Sequence, residues 1–215
     1  MGTEEDYAPG WPGIDPRWTS SAKVGVGTAL SARSRVWFTI SHGIINEIYF
    51  PRVDQACTRD LGLIVTDGDE FFSEEKRHAT FDVEYIAEGV PAYHLTNTCR
   101  HKRYRIEKRL ICDPRRDTVL QHTSFSPLEG SLDDYHVHVL LAPHIYNRGM
   151  GNNAWLHDYR GVPMLFAERD SRALAVACSG GWLKRSAGFV GASDGWQDLK
   201  QHKQMQWRYA NAENG

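Results

Sequence analysis

The chain has 215 residues, a formal net charge of −2, and 41% hydrophobic and 11% aromatic residues. This length suits one large domain or two small ones, and all-β sandwiches often reach it as a single unit. The apolar content allows a packed core and excludes a disordered chain, while the near-neutral charge disfavours a nucleic-acid partner. No apolar run approaches the ~20 residues that a membrane-spanning helix needs, so no membrane partner is expected.

Residues 1–22 are rich in Pro, Gly and Ser, and they predict an irregular N-terminal arm pinned to the surface by Trp11 and Trp18. The opening run is acidic and lacks the apolar centre of a secretory signal. The cysteines are Cys57, Cys99, Cys112 and Cys178. Their irregular spacing disfavours a disulfide framework or a zinc site. We therefore expect free, mostly buried thiols in a reducing compartment such as the cytoplasm.

Residues 35–75 carry the clearest structural pattern, in which short β-rich runs alternate with turn residues. This pattern is typical of antiparallel strands. The strands predicted here are Val36–Ile40, Ile44–Phe50, Leu61–Thr66 and Phe71–Ser73. His42-Gly43 and Asp67-Gly68 separate them in two tight hairpins.

The strand pattern continues through the rest of the chain, so the predicted fold class is all-β. Further predicted strands are Ala79–Tyr85, Ala92–Thr98, Tyr104–Cys112, Thr118–Ser126, Tyr135–Ala142, Ala154–Tyr159, Pro163–Glu168, Ala173–Ser179 and Met205–Tyr209. One short helix is predicted, over Ser193–Gln204, with Ser193 as its N-cap. Residues 143–153 form a long polar loop, and such loops are more often functional than short turns are.

The chain ends in Asn214-Gly215, which is the strongest short hairpin signal. No second strand follows this turn, so the last predicted strand would be an unpaired edge. We therefore expect the main domain, residues 23–215, to be cut short at its C-terminal end. A frayed tail is the alternative interpretation.

Two short motifs suggest a cofactor or a metal, and neither is well supported. Gly25-Val26-Gly27 does not complete a dinucleotide-binding loop, because Leu30 replaces the third glycine, and no cofactor is expected. A metal site could combine several histidines, namely His136 and His138 with His122 or His144. Because no further ligand spacing supports this site, we interpret the first two as half-exposed strand histidines and expect no metal.

A basic run begins after the predicted strand Ala92–Thr98 and continues into the strand Tyr104–Cys112. It consists of Arg100, His101, Lys102 and Arg103, with Arg105, Lys108 and Arg109. A charged solvent face is the preferred interpretation. A docking surface for an acidic partner domain is the alternative.

Two groups of residues are candidates for carbohydrate chemistry. His42 and Glu47, with Asp54 nearby, could perform acid–base work on a sugar hydroxyl, although nothing in the pattern unites them in one pocket. The candidates for sugar contact around the long loop are Tyr146, Asn152, Asn153 and Trp155. A core role is the alternative for the tryptophan. No acid–base pair of carboxylates is recognisable elsewhere, and no catalytic residue is assigned.

Five segments carry a family resemblance. They are TSSAKVGVGTAL (19–30), SRVWFTISHGIINEIYFPRVD (34–54), RDLGLIVTDGDEFFSEE (59–75), APHIYNRGMGNNAW (142–155) and SDGWQDL (193–199). Together they resemble the N-terminal domain of bacterial glucoamylases and glucodextranases, which are inverting glycoside hydrolases of the glucoamylase type. The resemblance implies a large antiparallel β-supersandwich, similar to galactose-mutarotase-like domains.

The resemblance also implies that catalysis belongs to a separate (α/α)₆ barrel, where two glutamates ~6.5–9.5 Å apart act as general acid and base. Such a barrel needs many long helices, and one short helix is predicted here, so the barrel is absent from this chain and is its expected partner. The favoured function is a non-catalytic module that supports that barrel. The alternatives are a carbohydrate-binding module for α-glucan oligosaccharides and, suggested by fold type and by His42 with Glu47, an aldose 1-epimerase-like enzyme.

Overall fold

Three β-sheets make up the described part of the chain, which in this computed structural model comprises residues 4–11 and 22–214. The strands are β1 (Glu4–Tyr7), β2 (Gly25–Thr28), β3 (Trp37–Ser41), β4 (Ile44–Tyr49), β5 (Ala56–Thr66), β6 (Phe72–Glu74), β7 (Ala79–Tyr85), β8 (Tyr93–Cys99), β9 (Tyr104–Cys112), β10 (Val119–Pro127), β11 (His136–Pro143), β12 (Asn153–Tyr159), β13 (Val162–Arg169), β14 (Arg172–Ala177) and β15 (Arg208–Ala212). The helices are α1 (Glu75–His78) and α2 (Gly195–His202). Within the described residues, neither is long and apolar enough to cross a membrane.

The sheets differ in size and in strand order. Sheet I has the order β11-β5-β4-β3-β2, with β6 paired to β5. Sheet II has the order β10-β9-β8-β7, and sheet III the order β1-β15-β12-β13-β14. Neighbouring strands are antiparallel apart from the parallel pair β1 and β15. The all-β antiparallel prediction is therefore confirmed.

Sheets I and II face each other across the main core. In β8 and β9 every second residue is buried, which is the period that a strand with one face on a core requires. Phe38 and Ile40 of β3 pack in one cluster with Leu95 of β8 and Leu110 of β9. Each fully buried side chain of this kind contributes about 1.5–3 kcal/mol. The alternation thus encodes a sheet-on-sheet sandwich.

The N-terminal arm is only partly irregular, which corrects the prediction. Residues 4–7 form β1 and pair with β15. Strand propensity does not reveal this, because an acidic run joins a sheet when a neighbouring strand offers unpaired backbone groups. Trp11 is 65% exposed and therefore does not pin the arm. Trp18 and the remainder of the arm, residues 12–21, lie outside the described residues.

The C-terminal strand is also placed differently from the prediction. β15 covers 208–212 rather than 205–209, and it lies between β1 and β12, so it is not an unpaired edge. Asn214 has a positive φ of 65°, and Gly215 lies outside the described residues. The predicted edge was wrong because β1 comes from the opposite end of the chain.

The two predicted hairpins have different turns. His42 and Gly43 have φ angles of 54° and 71° and join β3 directly to β4, as predicted. The turn after β5 is longer, because Thr66 pairs with Phe72 across residues 67–71. Asp67 stabilises this longer turn by accepting the N–H groups of Asp69 and Phe71 at 3.0 and 2.9 Å.

The predicted C-terminal helix exists, but its cap was assigned one residue too early. Asp194 Oδ1 accepts the N–H groups of Trp196 and Gln197 at 2.8 and 3.1 Å. The hydroxyl of Ser193 instead accepts the N–H of Phe189 at 3.1 Å. Both residues are good N-caps, so sequence could not separate them. The four-residue α1 has no counterpart in the predictions.

Candidate functional site

The loop of residues 143–153 is held by one buried amide. Asn152 is 4% exposed, its Oδ1 accepts the N–H of Ile145 at 3.1 Å, and its Nδ2 donates to the carbonyl of Arg148 at 3.0 Å. Because both ends of this amide serve the loop, Asn152 has a structural role. Asn147 ties the same loop to sheet I, donating to Asp54 O and accepting from Ala56 N, both at 2.8 Å.

Tyr146 stands on this loop with a strained backbone. Its φ and ψ are 58° and 37°, in the left-handed region that non-glycine residues seldom adopt. Its ring faces the guanidinium of Arg172 at 4.0 Å, and its hydroxyl lies 3.0 Å from the hydroxyl of Ser171. One face of the Tyr146 ring is therefore occupied by Arg172.

Arg172 is the centre of a polar cluster at the same place. Its guanidinium also lies 5.8 Å from the ring of Phe50, and it donates to Gln55 Oε1 at 3.0 Å. No carboxylate of the described residues forms an ion pair with it, and its Nη1 is buried without an acceptor there. We call this cluster, together with loop 143–153, the junction, because it joins β4 and β5 of sheet I to β14 of sheet III.

The other two predicted sugar contacts lie on β12. Trp155 is half-buried and stacks on Phe166 with ring centroids 5.4 Å apart at 12°. Asn153 is exposed, and its Oδ1 accepts the N–H of Asn214 at 2.8 Å. Sugar contact at Tyr146, Asn152, Asn153 and Trp155 stays a prediction. The geometry favours the two aromatic rings, because both asparagines already serve as hydrogen-bond acceptors for the backbone.

The predicted acid–base pair is not assembled in one pocket. His42 lies in the turn at the end of the β3–β4 hairpin, and its Nδ1 is 2.6 Å from Ser41 Oγ. Glu47 lies further along β4, opposite Thr39, where it pairs with Lys23 at 2.8 Å and accepts the hydroxyl of Tyr49. Asp54 forms an exposed ion pair with Arg52 at 3.0 Å. The three residues therefore have separate partners.

The strand histidines lie side by side on β11. The rings of His136 and His138 are 6.5 Å apart. Burial, with smaller contributions from His136 and Lys184, lowers the pKa of His138 to about 4. Within the described residues, no group of three His, Cys, Asp or Glu side chains comes together as a metal site. The four cysteines are free thiols and all but Cys178 are buried, as predicted.

Most of the basic run is exposed to solvent, as predicted, and the prediction is wrong for Lys108. Arg105 and Arg109 of β9 point outwards, but Lys108 between them is 1% exposed. Its ammonium pairs with Glu75 and donates to the carbonyl of Gly43 at 2.6 Å. The alternating apolar pattern of β9 contains this lysine at a core position, and that is the signal that was available in the sequence.

Glu75 and Lys108 form an enclosed ion pair between sheets I and II. Both are 1% exposed, and Glu75 Oε2 also accepts the N–H of Leu63 at 3.1 Å. Burial raises the pKa of Glu75 and lowers that of Lys108, while each charge opposes the shift of the other. Because solvent does not reach the pair, it cannot exchange protons with a substrate. Its role is to hold α1, β9 and the β3–β4 turn together.

Arg103 lines two neighbouring open pockets. The acidic pocket measures about 420 Å³ and is lined by Asp67, Asp69, Arg103, Glu129, Gly130, Asp133, Asp134 and Tyr135. The basic pocket measures about 400 Å³ and is lined by Glu70, Phe71, Phe72, His78, His101, Arg103 and Lys200. Backbone N–H groups lower the pKa of Asp67 and Asp134, so neither carboxyl is suited to donate a proton near neutral pH.

Comparisons of family, sequence and structure with known proteins agree with one another. The family model described as glucodextranase, domain N, matches residues 8–215. A glucoamylase of Clostridium sp. (strain G0005) is 37% identical over 201 residues, which is 94% of this chain and 29% of that protein. The crystal structure of a bacterial glucoamylase complexed with acarbose superposes with a TM-score of 0.95 at 35% identity, covering 99% of this chain and 32% of that one. The chain thus spans about a third of the length of these relatives.

Proposed function

Because the chain belongs to the glucodextranase domain N family, we propose that it is the non-catalytic β-sandwich module of a glucoamylase-type α-glucan hydrolase. Its work is to support a separate catalytic domain, an (α/α)₆ barrel that carries the acid and base glutamates. The observation that carries the proposal is coverage, since the chain equals only 29% and 32% of two glucoamylases that it matches along nearly its whole length.

The chemistry of the described carboxylates supports the same conclusion. Inverting hydrolysis needs two carboxyl groups that face one substrate, one of them protonated. The enclosed Glu75 is neutralised by Lys108, and Glu47 is engaged by Lys23 and Tyr49. The acidic pocket holds carboxylates that cap turns. None of these arrangements offers a proton donor opposite a water-activating base.

An activity assay tests the proposal directly. The purified chain is incubated with maltose, maltooligosaccharides and dextran, and glucose release is followed. No turnover above a heat-treated control is expected. The product of the complete reading frame, assayed in parallel, is expected to release glucose. Turnover by the purified 215-residue chain itself would overturn the proposal.

Carbohydrate binding without catalysis is the second candidate, favoured by the half-exposed rings of Tyr146 and Trp155 near the junction. Stacking of a ring on a sugar accounts for such contacts in many sugar-binding surfaces. Calorimetric titration with maltooligosaccharides and isomaltooligosaccharides tests it, using Trp155→Ala and Tyr146→Ala. Tyr159→Ala is the matched control, because Tyr159 is a 52% exposed aromatic on the same strand. Absence of heat at millimolar sugar would exclude this function.

The epimerase-like alternative has the least support. Fold type alone does not confer a reaction, and His42 and Glu47 have separate partners. Following anomer exchange by NMR tests it, with His42→Ala as the control. Exchange that equals the spontaneous rate is the expected result.

A further inference from the structure

The basic pocket collects most of its donors from three distant parts of the chain. His78 comes from the end of α1, His101 and Arg103 come from the turn between β8 and β9, and Lys200 comes from α2. Two aromatic rings, Phe71 and Phe72, form its floor. The fold therefore brings two residues of the basic run together with a histidine of α1 and a lysine of α2 in one pocket.

Each cation is positioned by an aromatic ring. The ammonium of Lys200 lies 5.0 Å over the ring of Phe72, and the guanidinium of Arg103 lies 4.2 Å over Phe71. Such contacts restrain long side chains that would otherwise move freely in solvent. Both positive groups are thus held at the wall of the same cavity.

The protonation of His78 is determined by its backbone contact. Its Nδ1 accepts the N–H of Glu74 at 2.9 Å, so the neutral ring carries its proton on Nε2. Burial lowers the pKa of His78, with Lys200, Arg77 and His101 acting in the same direction and Glu74 opposing them. The residue therefore supplies a neutral N–H donor in a positively charged setting.

Several carboxylates lie near the pocket, and one of them, Glu74, is engaged by Arg77 at 3.2 Å and by the indole N–H of Trp196 at 2.8 Å. Glu70 is exposed and lines the pocket. Arg103 contacts Asp67 at 3.4 Å and Glu129 at 4.0 Å, and both of those carboxylates line the acidic pocket on its other side. The described residues around Lys200 include no carboxylate paired with its ammonium.

We propose that the basic pocket is a binding site for a small oxyanion, namely a carboxylate or a phosphate group. Lys200 and Arg103 supply charge, and His78 and His101 supply ring N–H donors, which together match the acceptor oxygens of such a group. The cavity of about 400 Å³ is large enough to admit it. The anion comes either from a free solute or from an acidic side chain of a neighbouring domain.

Titration with inorganic phosphate and with acetate tests the site in the 215-residue chain. The imidazole C–H signals of His78 and His101 are followed by NMR and are expected to move saturably at millimolar anion. Lys200→Met keeps the stem over Phe72 but removes the charge, and it should weaken binding at least tenfold. Lys102→Met removes an equal charge from the neighbouring turn but not from the pocket, and it should weaken binding less than twofold.

Two results would overturn the site. One is the absence of a saturable shift of both histidine signals up to tens of millimolar anion. The other is an equal loss of binding in Lys200→Met and Lys102→Met, which would mean attraction by net charge alone. His101→Gln gives an independent readout, since it should weaken binding while the His78 signal still reports it.

A second arm identifies the source of the anion and rests on the proposed function. The same titration is repeated with the product of the complete reading frame. Histidine signals already shifted, and insensitive to phosphate, assign the site to an acidic side chain of the neighbouring domain. Signals that move as in the 215-residue chain assign it to a free solute. The titration of the 215-residue chain needs no neighbouring domain, so it still tests the site if the proposed function is wrong.

Discussion

The sandwich interior and the junction each hold a cation away from bulk water, but they satisfy it by different means. In the interior, Lys108 has a carboxylate, Glu75, and a carbonyl, Gly43 O, and all three are enclosed. At the junction, Arg172 has two aromatic rings and an amide oxygen, and no carboxylate of the described residues.

The difference follows from burial. A fully enclosed ammonium loses all of its hydration, and only a charged partner with complete hydrogen bonding restores that energy. A half-buried guanidinium is weakly hydrated and keeps part of its solvent, so π faces and one acceptor are sufficient. Substitutions in the interior pair are therefore expected to lower the free energy of unfolding strongly, whereas substitutions at the junction are expected to lower it less.

Lys108→Met tests the enclosed ion pair, where we expect the largest loss of stability. It leaves the Glu75 carboxylate enclosed without its counter-charge, and we expect unfolding free energy to fall by about 3–5 kcal/mol. Urea unfolding measures the loss. Arg105→Met, on the solvent face of the same strand, should change stability by no more than about 0.5 kcal/mol. Combining Lys108→Met with Glu75→Gln should recover most of the loss, and failure to do so would contradict the pairing as its cause.

Asn152→Ala tests the junction at its most buried amide. The substitution leaves the N–H of Ile145 and the carbonyl of Arg148 without these partners, so a loss of about 1–3 kcal/mol is expected. Faster proteolytic cleavage within 143–153 should accompany it. The neighbouring Asn153→Ala is the control, and comparable cleavage in both variants would argue against a specific role for Asn152.

Arg172→Met measures how much the half-buried guanidinium of the junction contributes to stability, for comparison with Lys108. Loss of a partly desolvated cation–π contact should cost about 1–2 kcal/mol, well below the cost at Lys108. Thermal unfolding measures it. Arg160→Met provides a matched pair, because its guanidinium lies 5.2 Å from the exposed ring of Tyr159 and should contribute about 0.5 kcal/mol. A larger effect at Arg160 than at Arg172 would reverse the ranking.

Acid titration of His138 probes a half-buried site that has no carboxylate partner among the described residues. Its pKa in the folded state is about 4, below the ordinary value of 6.5, so the unfolded chain binds the proton first. Stability is therefore complete above pH ~6.5 and declines as pH falls towards 4, by at most about 1.4 kcal/mol per unit. His138→Gln should flatten this part of the stability profile, while exposed His122→Gln should leave it unchanged. Equal profiles in all three proteins would refute the assignment.

The strands were largely readable from sequence, and specific elements show why. β7 and β9 both have the predicted bounds. In β9 the reason is a regular alternation of buried and outward-facing residues, whereas most of β7 is exposed. β1 and β2 were missed, since an acidic run and a glycine-rich run become strands only when β15 and β3 offer backbone partners. Local propensity carries no record of such partners.

The candidate sites were less predictable than the fold. His42 and Glu47 are close in sequence yet have separate partners, whereas Arg172 and Tyr146 form a contact although β12 and β13 lie between them in the chain. Side chains that meet through long loops leave no periodic signal. The enclosed Lys108 was the exception, since its position in an apolar alternation was visible.

The antiparallel sandwich, the β3–β4 turn and the family resemblance could all be predicted from the residues alone, because they depend on residue period, on positive-φ positions and on long ordered segments. The tertiary structure was needed to show that Lys108 pairs with Glu75, that the C-terminal strand is paired on both sides, and that donors from α1, α2 and one turn share a pocket. These features arise from contacts between residues far apart in the chain. Their energies depend on burial and distance, which a linear pattern does not contain.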